Sequence, residues 1–165
     1  MGNIVSNYMP LEDNYWIDLL DKNLDGITDP ADKSKIHSLN LACNKIQLLP
    51  TDLISLSRLN LIKNNYKDKL PKDILESILT YRNLCVLELS FNFLQSFPYS
   101  ILSLSNFAAL GLEHNKFSSF QVPDQVPNLK QLALSSNEFT EIINVDSFPN
   151  LRFLSLDYNR INSLS

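Results

Sequence analysis

Residues 21 to 32, DKNLDGITDPAD, carry oxygen-bearing side chains at the spacing of a calcium-binding loop. Loop positions one, three, five, nine and twelve are held by Asp21, Asn23, Asp25, Asp29 and Asp32, with Gly26 at position six. EF-hand loops place their calcium ligands at this spacing and use glycine at position six for a sharp turn. The stretch therefore raises the hypothesis of a calcium site.

The residues around this stretch favour a different architecture. An EF-hand loop is flanked by two helices, but Pro30 lies late in the loop and a predicted strand begins at Ile36, four residues after Asp32. Thr28 stands at loop position eight, which is usually apolar. We expect residues 21 to 32 to form the turn and outer arc of a degenerate repeat, and a weak incidental calcium site is the alternative.

Histidines and cysteines are the other candidates for acid–base, nucleophilic or disulfide chemistry. The sequence contains two of each, His37, His114, Cys43 and Cys85. A nucleophilic thiol and its imidazole base must lie about 3 Å apart. What these four residues can do therefore depends on the elements that position them.

Those elements are predicted by a repeat. The segment LCVLELSFN, residues 84 to 92, has the form L-x-x-L-x-L-x-x-N. Five more segments fit the same frame: IHSLNLACN (36–44), LSRLNLIKN (56–64), FAALGLEHN (107–115), LKQLALSSN (129–137) and LRFLSLDYN (151–159). Their asparagines are 20, 28, 23, 22 and 22 residues apart. This motif at this period is the pattern of a leucine-rich repeat.

The repeat frame predicts the fold class and the domain limits. Moved back by 22 residues from Leu39 and Leu41, it reaches Ile17 and Leu19, so a degenerate first repeat has Lys22 in place of the asparagine. We predict an α/β fold: a right-handed leucine-rich-repeat solenoid of about seven repeats, with a concave parallel β-sheet and short helical or irregular convex arcs. We place an N-terminal cap segment at residues 1–13 and the repeat domain at residues 14–165, with an incomplete last repeat.

The longest coil contains a predicted helix. Its 28 residues include PKDILESILTYRNL, in which Ile74, Leu75, Ile78 and Leu79 recur at helical spacing. Apolar residues after each asparagine, such as Leu94 and Phe97, are predicted to line the rest of the core.

The same frame separates the histidines and cysteines. Cys43 and His114 fall three strands apart, about 14 Å at the spacing of neighbouring strands, and Cys43 and Cys85 fall two strands apart, about 10 Å. Neither distance allows a catalytic pair or a disulfide. The sequence also shows no nucleotide-binding loop, so we predict a protein that is not an enzyme and has no cofactor or structural metal.

Composition limits the partners and the compartment. The chain has 165 residues, of which 44% are hydrophobic, enough for the core of one domain. A net charge of -4 and a pI near 5.1 argue against a nucleic-acid-binding surface. No apolar run approaches the length of a membrane span, the N-terminus lacks the layout of a secretion signal, and two cysteines fit a reducing compartment. We expect a cytoplasmic protein.

The concave face is the predicted binding surface, formed by side chains at motif positions three, five and eight and just past the asparagine. We assign partner binding to Arg58, Val86, Glu88, Phe91, Phe93, His114, Phe153 and Tyr158. The small residues Ala109, Gly111 and Ala133 are expected to leave a hollow among them. Exposed aromatic side chains around a hollow suit a protein partner. The alternative is that Phe91 and Phe93 pack inward.

The two ends of the chain carry separate signals. MGNIVS matches the N-myristoylation pattern, with Gly2 as the acceptor and Ser6 at the expected place, and one acyl chain would give weak association with the inner face of a membrane. Ile161 and Leu164 near the C-terminus have no following coil to cover them. We expect a longer protein, or an end-to-end homodimer through the uncapped C-terminal repeat.

The six motif matches and the degenerate first repeat resemble intracellular leucine-rich-repeat proteins of the Ras-suppressor group. The resemblance implies a scaffold or adaptor in intracellular signalling that holds a protein, such as a small GTPase or a phosphatase, on its concave face. The alternative is an N-terminal regulatory leucine-rich-repeat arm of a larger signalling enzyme, such as a type-2C Ser/Thr phosphatase whose catalytic domain is absent from this chain.

Overall fold

The computed structural model describes residues 4–5, 16–28, 32–122 and 124–162. The strands in chain order are β1 (Ile4–Val5), β2 (Trp16–Asp18), β3 (Gly26–Ile27), β4 (Ser38–Asn40), β5 (Arg58–Asn60), β6 (Lys67–Asp68), β7 (Val86–Glu88), β8 (Phe93–Leu94), β9 (Ala109–Gly111), β10 (Gln131–Ala133) and β11 (Phe153–Ser155). One α-helix, α1 (Lys72–Thr80), and three 3-10 helices (Lys33–Lys35, Tyr99–Ser103 and Val145–Ser147) complete the described elements.

Seven of the strands form one parallel sheet in the order β2, β4, β5, β7, β9, β10, β11. Each strand is the three-residue centre of one predicted repeat, and its neighbours along the sheet are the preceding and following repeats. The register aligns motif position four of every coil, so that Leu59, Leu87 and Leu110 lie side by side. The predicted fold class, a leucine-rich-repeat solenoid of about seven repeats, is confirmed.

The core lies between this sheet and the outer arcs. In the central coils, leucines at motif positions one, four and six, such as Leu84, Leu87 and Leu89, are fully buried. The arcs of the later coils supply aromatic rings around Phe120, whose centroid lies 6.0 Å from that of Phe97. Phe117 and Phe148 each lie 6.3 Å from the Phe120 ring. Packing of one coil onto the next therefore continues through the outer arc as well as the sheet.

The predicted helix is confirmed as α1. Pro71 stands at its N-cap, and the Pro71 carbonyl accepts a hydrogen bond from the Leu75 N–H at 3.0 Å. Ile74 and Ile78, four residues apart, are buried on the same face. Ser77 is also buried, and its Oγ donates a hydrogen bond to the Leu49 carbonyl of the preceding coil at 3.0 Å. Leu79 points away from the core and is exposed.

The repeated asparagines join successive coils. Asn92 Nδ2 donates to the carbonyls of Leu89 (2.9 Å) and Leu61 (3.1 Å), which belong to its own coil and to the preceding coil. Its Oδ1 accepts from the backbone N–H groups of Asn64 and Tyr66 at 3.0 and 3.1 Å. The side chain thus satisfies buried backbone groups where the chain leaves the strand.

Within the described ranges, no helix has the length and apolar character needed to cross a lipid bilayer.

Candidate partner-binding site

The residue before each asparagine, at motif position eight, has a left-handed backbone. The position-eight row consists of Asp21, Cys43, Lys63, Phe91, His114, Ser136 and Tyr158, with φ values of 53°, 58°, 54°, 58°, 52°, 57° and 57°. None is glycine, and each such conformation costs about 1–3 kcal/mol unless its surroundings hold it. Here the next coil does so: the Phe91 N–H donates to the Glu113 carbonyl at 2.8 Å, and the His114 N–H donates to the Ser135 carbonyl at 3.0 Å.

This geometry brings side chains of the position-eight row together across coils. The rings of Phe91 and His114 are stacked, with centroids 4.0 Å apart and planes 15° from parallel. Lys63 Nζ lies 5.2 Å from the centroid of the Phe91 ring, on the neighbouring coil. The row therefore runs from a cation to an aromatic pair, held in part by cation–π attraction.

Four of the predicted aromatic side chains remain open to solvent. The exposed fractions are 44% for Phe91, 45% for Phe93, 53% for Phe153 and 88% for Tyr158. The alternative in which Phe91 and Phe93 pack inward is wrong. Phe93 lies in β8, which pairs with β6 next to the main sheet, and Lys116 Nζ lies 5.5 Å from the centroid of its ring. Phe93 is therefore a rim residue and not part of the seven-stranded sheet.

The other predicted site residues are spread along the sheet. Arg58 and Val86 lie side by side at position three of β5 and β7. Phe153 lies at the same position on β11, so three strands, β7, β9 and β10, separate it from Arg58. Position three lies on the concave face, the side of the sheet that carries motif positions three and five. The structure thus brings Phe91 and His114 together and keeps Arg58 and Phe153 at a distance from each other.

The hollow expected over the small residues is filled. A Cβ built on Gly111 would lie 1.8 Å from Oε2 of Glu88, so the Glu88 carboxylate occupies the space that the glycine leaves. Burial raises the pKa of the Glu88 carboxyl above its usual value, and the nearby Glu113 carboxylate raises it further. Gly111 is needed here because of this close approach, since its φ is not left-handed.

Two acidic residues near this site did not follow from the repeat frame. Glu113 and Asp157 stand at motif position seven, which was not expected to face a partner. They line a shallow depression of about 410 Å³ together with His114, Ser135, Ser136 and Tyr158. A signal was present in the sequence, because position seven is apolar in the first three coils, as at Ile62, and acidic in two of the last three coils, at Glu113 and Asp157.

The calcium-like stretch lies in the first coil of the solenoid. The strand before it, β2, pairs in parallel with β4. Backbone hydrogen bonds join the stretch to the second coil: Lys45 N–H donates to the Leu24 carbonyl, Gln47 N–H to the Asp25 carbonyl, and Ile27 N–H to the Leu48 carbonyl. Asp32 caps a 3-10 helix by accepting from the Ser34 N–H. The neighbouring elements are thus those of a repeat and not of an EF-hand. Asp29 lies outside the described residues, and among those described no three His, Cys, Asp or Glu side chains converge.

The remaining predictions concern thiols and the chain ends. Cys43 and Cys85 are free thiols, and each is half-buried. Gly2 and most of the predicted cap segment 1–13 lie outside the described residues, as does Leu164. Of the cap, the structure describes only the backbone of β1, which pairs in parallel with β3 of the first coil.

Comparisons with known proteins agree with the repeat architecture. No family model matches the sequence. Osteomodulin of Bos taurus is 35% identical over 108 residues, which are 60% of this chain and 23% of osteomodulin. The leucine-rich repeat domain of APL1B has a TM-score of 0.67 at 25% identity, over 82% of this chain and 38% of that chain. The Leptospira interrogans LRR protein LIC12759 has a TM-score of 0.67 at 27% identity, over 90% and 38%. This chain spans less than half the length of each.

Proposed function

We propose that this leucine-rich-repeat protein is a non-catalytic interaction module that binds a protein partner on its concave face and the adjoining position-eight row. The similar solved structures support the repeat fold, and solenoids of this kind offer extended concave surfaces to their partners. The function is binding by a preformed surface, in which parallel strands hold the contact residues at fixed spacing.

One observation carries this proposal. Phe91, Phe153 and Tyr158 leave between 44% and 88% of their surface open to water. The strands and the left-handed position-eight backbone fix where these side chains leave the chain, and the Phe91 ring is also stacked on His114. Exposed aromatic side chains are among the residues that most often dominate the binding energy of protein interfaces.

We extend the proposal to a scaffold or adaptor in intracellular signalling, with a small GTPase or a phosphatase as the partner class. This finer assignment rests on the resemblance of the repeat pattern to the Ras-suppressor group and on cysteine usage that fits a reducing compartment. Myristoylation of Gly2 would add weak membrane association, because one acyl chain binds a bilayer only marginally.

The proposal is tested by selecting binders from a displayed library of folded protein domains with the wild-type protein. The selected domains are then measured against a Phe91→Ala, Tyr158→Ala double variant. The control is an Ile142→Ala, Val145→Ala double variant, which removes two exposed apolar side chains outside the sheet. We expect the first variant to weaken binding at least about tenfold, the change that a loss of 1.4 kcal/mol produces, and the control to leave it unchanged. Binders that depend only on Ile142 and Val145 would contradict the proposal.

A further inference from the structure

The aromatic part of the position-eight row is interrupted at one coil. Phe91 and His114 stack directly, but the next coil has Ser136 and the one after it has Tyr158. His114 and Tyr158 therefore extend from positions two strand spacings apart, about 10 Å. Each contact between stacked planar groups takes about 3.5–4 Å, so this separation admits one planar group between the two side chains and not two. We call this space above Ser136, between His114 and Tyr158, the slot.

The walls of this slot are acidic. Its depression of about 410 Å³ includes the carboxylates of Glu113 and Asp157. Their hydrogen bonds are long: Ser155 Oγ donates to Glu113 Oε1 at 3.3 Å, and Ser135 Oγ donates to Asp157 Oδ2 at 3.5 Å. Among the described residues, the cations of the ion pairs Lys35–Asp32, Lys72–Glu76 and Arg160–Glu138 bind other carboxylates, and neither wall carboxylate forms an ion pair.

Charge and shape together indicate the occupant. We propose that the slot between His114 and Tyr158 takes an arginine side chain of the protein partner, an inference that rests on the proposed function. The guanidinium plane would continue the Phe91–His114 stack, and its N–H groups would donate to Glu113 and Asp157. Lysine lacks the planar group that fills the slot, and a neutral aromatic ring would leave both carboxylates without a cationic partner.

A neighbouring group supports a cationic occupant. The Glu113 carboxylate contributes to raising the pKa of Glu88, so negative charge is already crowded on this part of the concave face. An incoming guanidinium would relieve that repulsion as well as pair with the wall carboxylates. The surrounding cations, Lys63 and Lys116, lie instead over the rings of Phe91 and Phe93.

The first experiment uses a small probe and needs no partner. The protein is titrated with N-acetyl-arginine N-methylamide, and backbone amide shifts are followed by NMR. We expect saturable shifts at Glu113, His114, Ser136 and Tyr158, and at least about tenfold weaker binding of the neutral isostere N-acetyl-citrulline N-methylamide. Equal binding of the two probes, or shifts located elsewhere, would overturn the proposal.

Two variants distinguish arginine binding in the slot from nonspecific attraction to the acidic surface. Ser136→Phe fills the slot, and the fold should accept it because Phe91 already occupies the same left-handed position, with φ 58° against 57°. Asp157→Asn removes one wall charge without changing shape. Both should weaken arginine binding about tenfold, whereas Asp146→Asn, which removes an exposed carboxylate outside the sheet, should not. Unchanged binding in Asp157→Asn would count against the slot even if Ser136→Phe failed to fold.

The selected protein domains distinguish this inference from the function on which it rests. Domains whose binding is lost in the Phe91→Ala, Tyr158→Ala variant but unchanged in Asp157→Asn would refute the arginine slot and leave the concave interface standing. Where the inference holds, one arginine of a selected domain loses its contribution in the Asp157→Asn background, as a double-mutant cycle would measure. Domains independent of the concave face would instead contradict the proposed function.

Discussion

Asn92 shows how one side chain joins two coils. Its amide makes hydrogen bonds to backbone groups of its own coil and of the coil before it, so the same group closes a turn and fixes the stacking. The first repeat receives the same contact from the asparagine of the next coil. Lys22 stands at its asparagine position, and the Lys22 and Leu24 N–H groups both donate to Asn44 Oδ1 of the second coil. The first coil therefore receives the amide contact without supplying one.

Tyr66 contains a polar atom that the described structure leaves unsatisfied. Its hydroxyl is buried without a hydrogen-bond partner among the described residues, and burial raises the pKa of Tyr66. A buried hydroxyl without a partner costs about 1–3 kcal/mol. We expect Tyr66→Phe to raise the free energy of unfolding by about 1 kcal/mol, measured by urea denaturation. The matched control is Tyr81→Phe, which should lower it because the Tyr81 hydroxyl donates to the Pro50 carbonyl; equal effects of the two changes would contradict this account.

Glu88 should make stability depend on pH. Burial first, and the Glu113 carboxylate second, raise the pKa of Glu88 in the folded state above the ordinary value of about 4.3. The folded state therefore holds the proton more tightly than the unfolded state, and this contribution to stability is present below the ordinary pKa and lost as pH rises through the raised one. We expect Glu88→Gln to become more stable relative to wild type over that rise, as thermal unfolding at a series of pH values would show.

A second variant tests the order of the two causes. Glu113→Gln leaves Glu88 buried. When Glu88→Gln is added to Glu113→Gln, most of its pH-dependent effect on stability should therefore persist. If that effect disappears in Glu113→Gln, repulsion between the two carboxylates and not burial is the main cause.

At the scale of elements, the strands and α1 were predictable because apolar residues at a regular spacing indicate which face of each element is buried. A strand of three residues with leucine at its centre has only one register that keeps all the central leucines inside, and the structure has that register. The helix was predictable for the same reason, since Ile74 and Ile78 recur at helical spacing in the one coil long enough to hold it.

Contacts between coils were harder to predict. A side chain such as Glu88 can lie along several directions, and only the stacked neighbour shows that it covers Gly111. The left-handed backbone at Phe91 and the stack on His114 likewise depend on hydrogen bonds from the next coil. Some signals were available: asparagine precedes motif position one in four coils, and the Asn150 amide donates to the Pro127 carbonyl at 2.9 Å.

At the scale of the whole molecule, each coil of the solenoid contacts chiefly its neighbours, so stability is distributed along the stack. The central coils have neighbours on both sides, and Leu84, Leu87 and Leu89 are fully buried there. In the last described coil, Leu151, Leu154 and Leu156 are only half-buried. The slot extends from the coil of His114 to this coil, which carries Tyr158, so part of its lining lies on a coil whose core leucines are half-buried.

Native-state hydrogen exchange should reveal this gradient. The Val86 and Phe153 N–H groups make equivalent bonds to the preceding coil, to the Ser57 carbonyl at 2.9 Å and the Lys130 carbonyl at 3.1 Å. The two amides thus have similar hydrogen bonds, so a difference in their protection from exchange reflects the stability of the coils to which they belong. In a protein that consists of these 165 residues, we expect Phe153 to exchange at least about tenfold faster than Val86 once intrinsic rates are removed, because opening its last coil disrupts only one coil–coil interface. Equal protection would mean that the stack unfolds as one unit, and the arginine probe should then protect both amides equally instead of favouring Phe153.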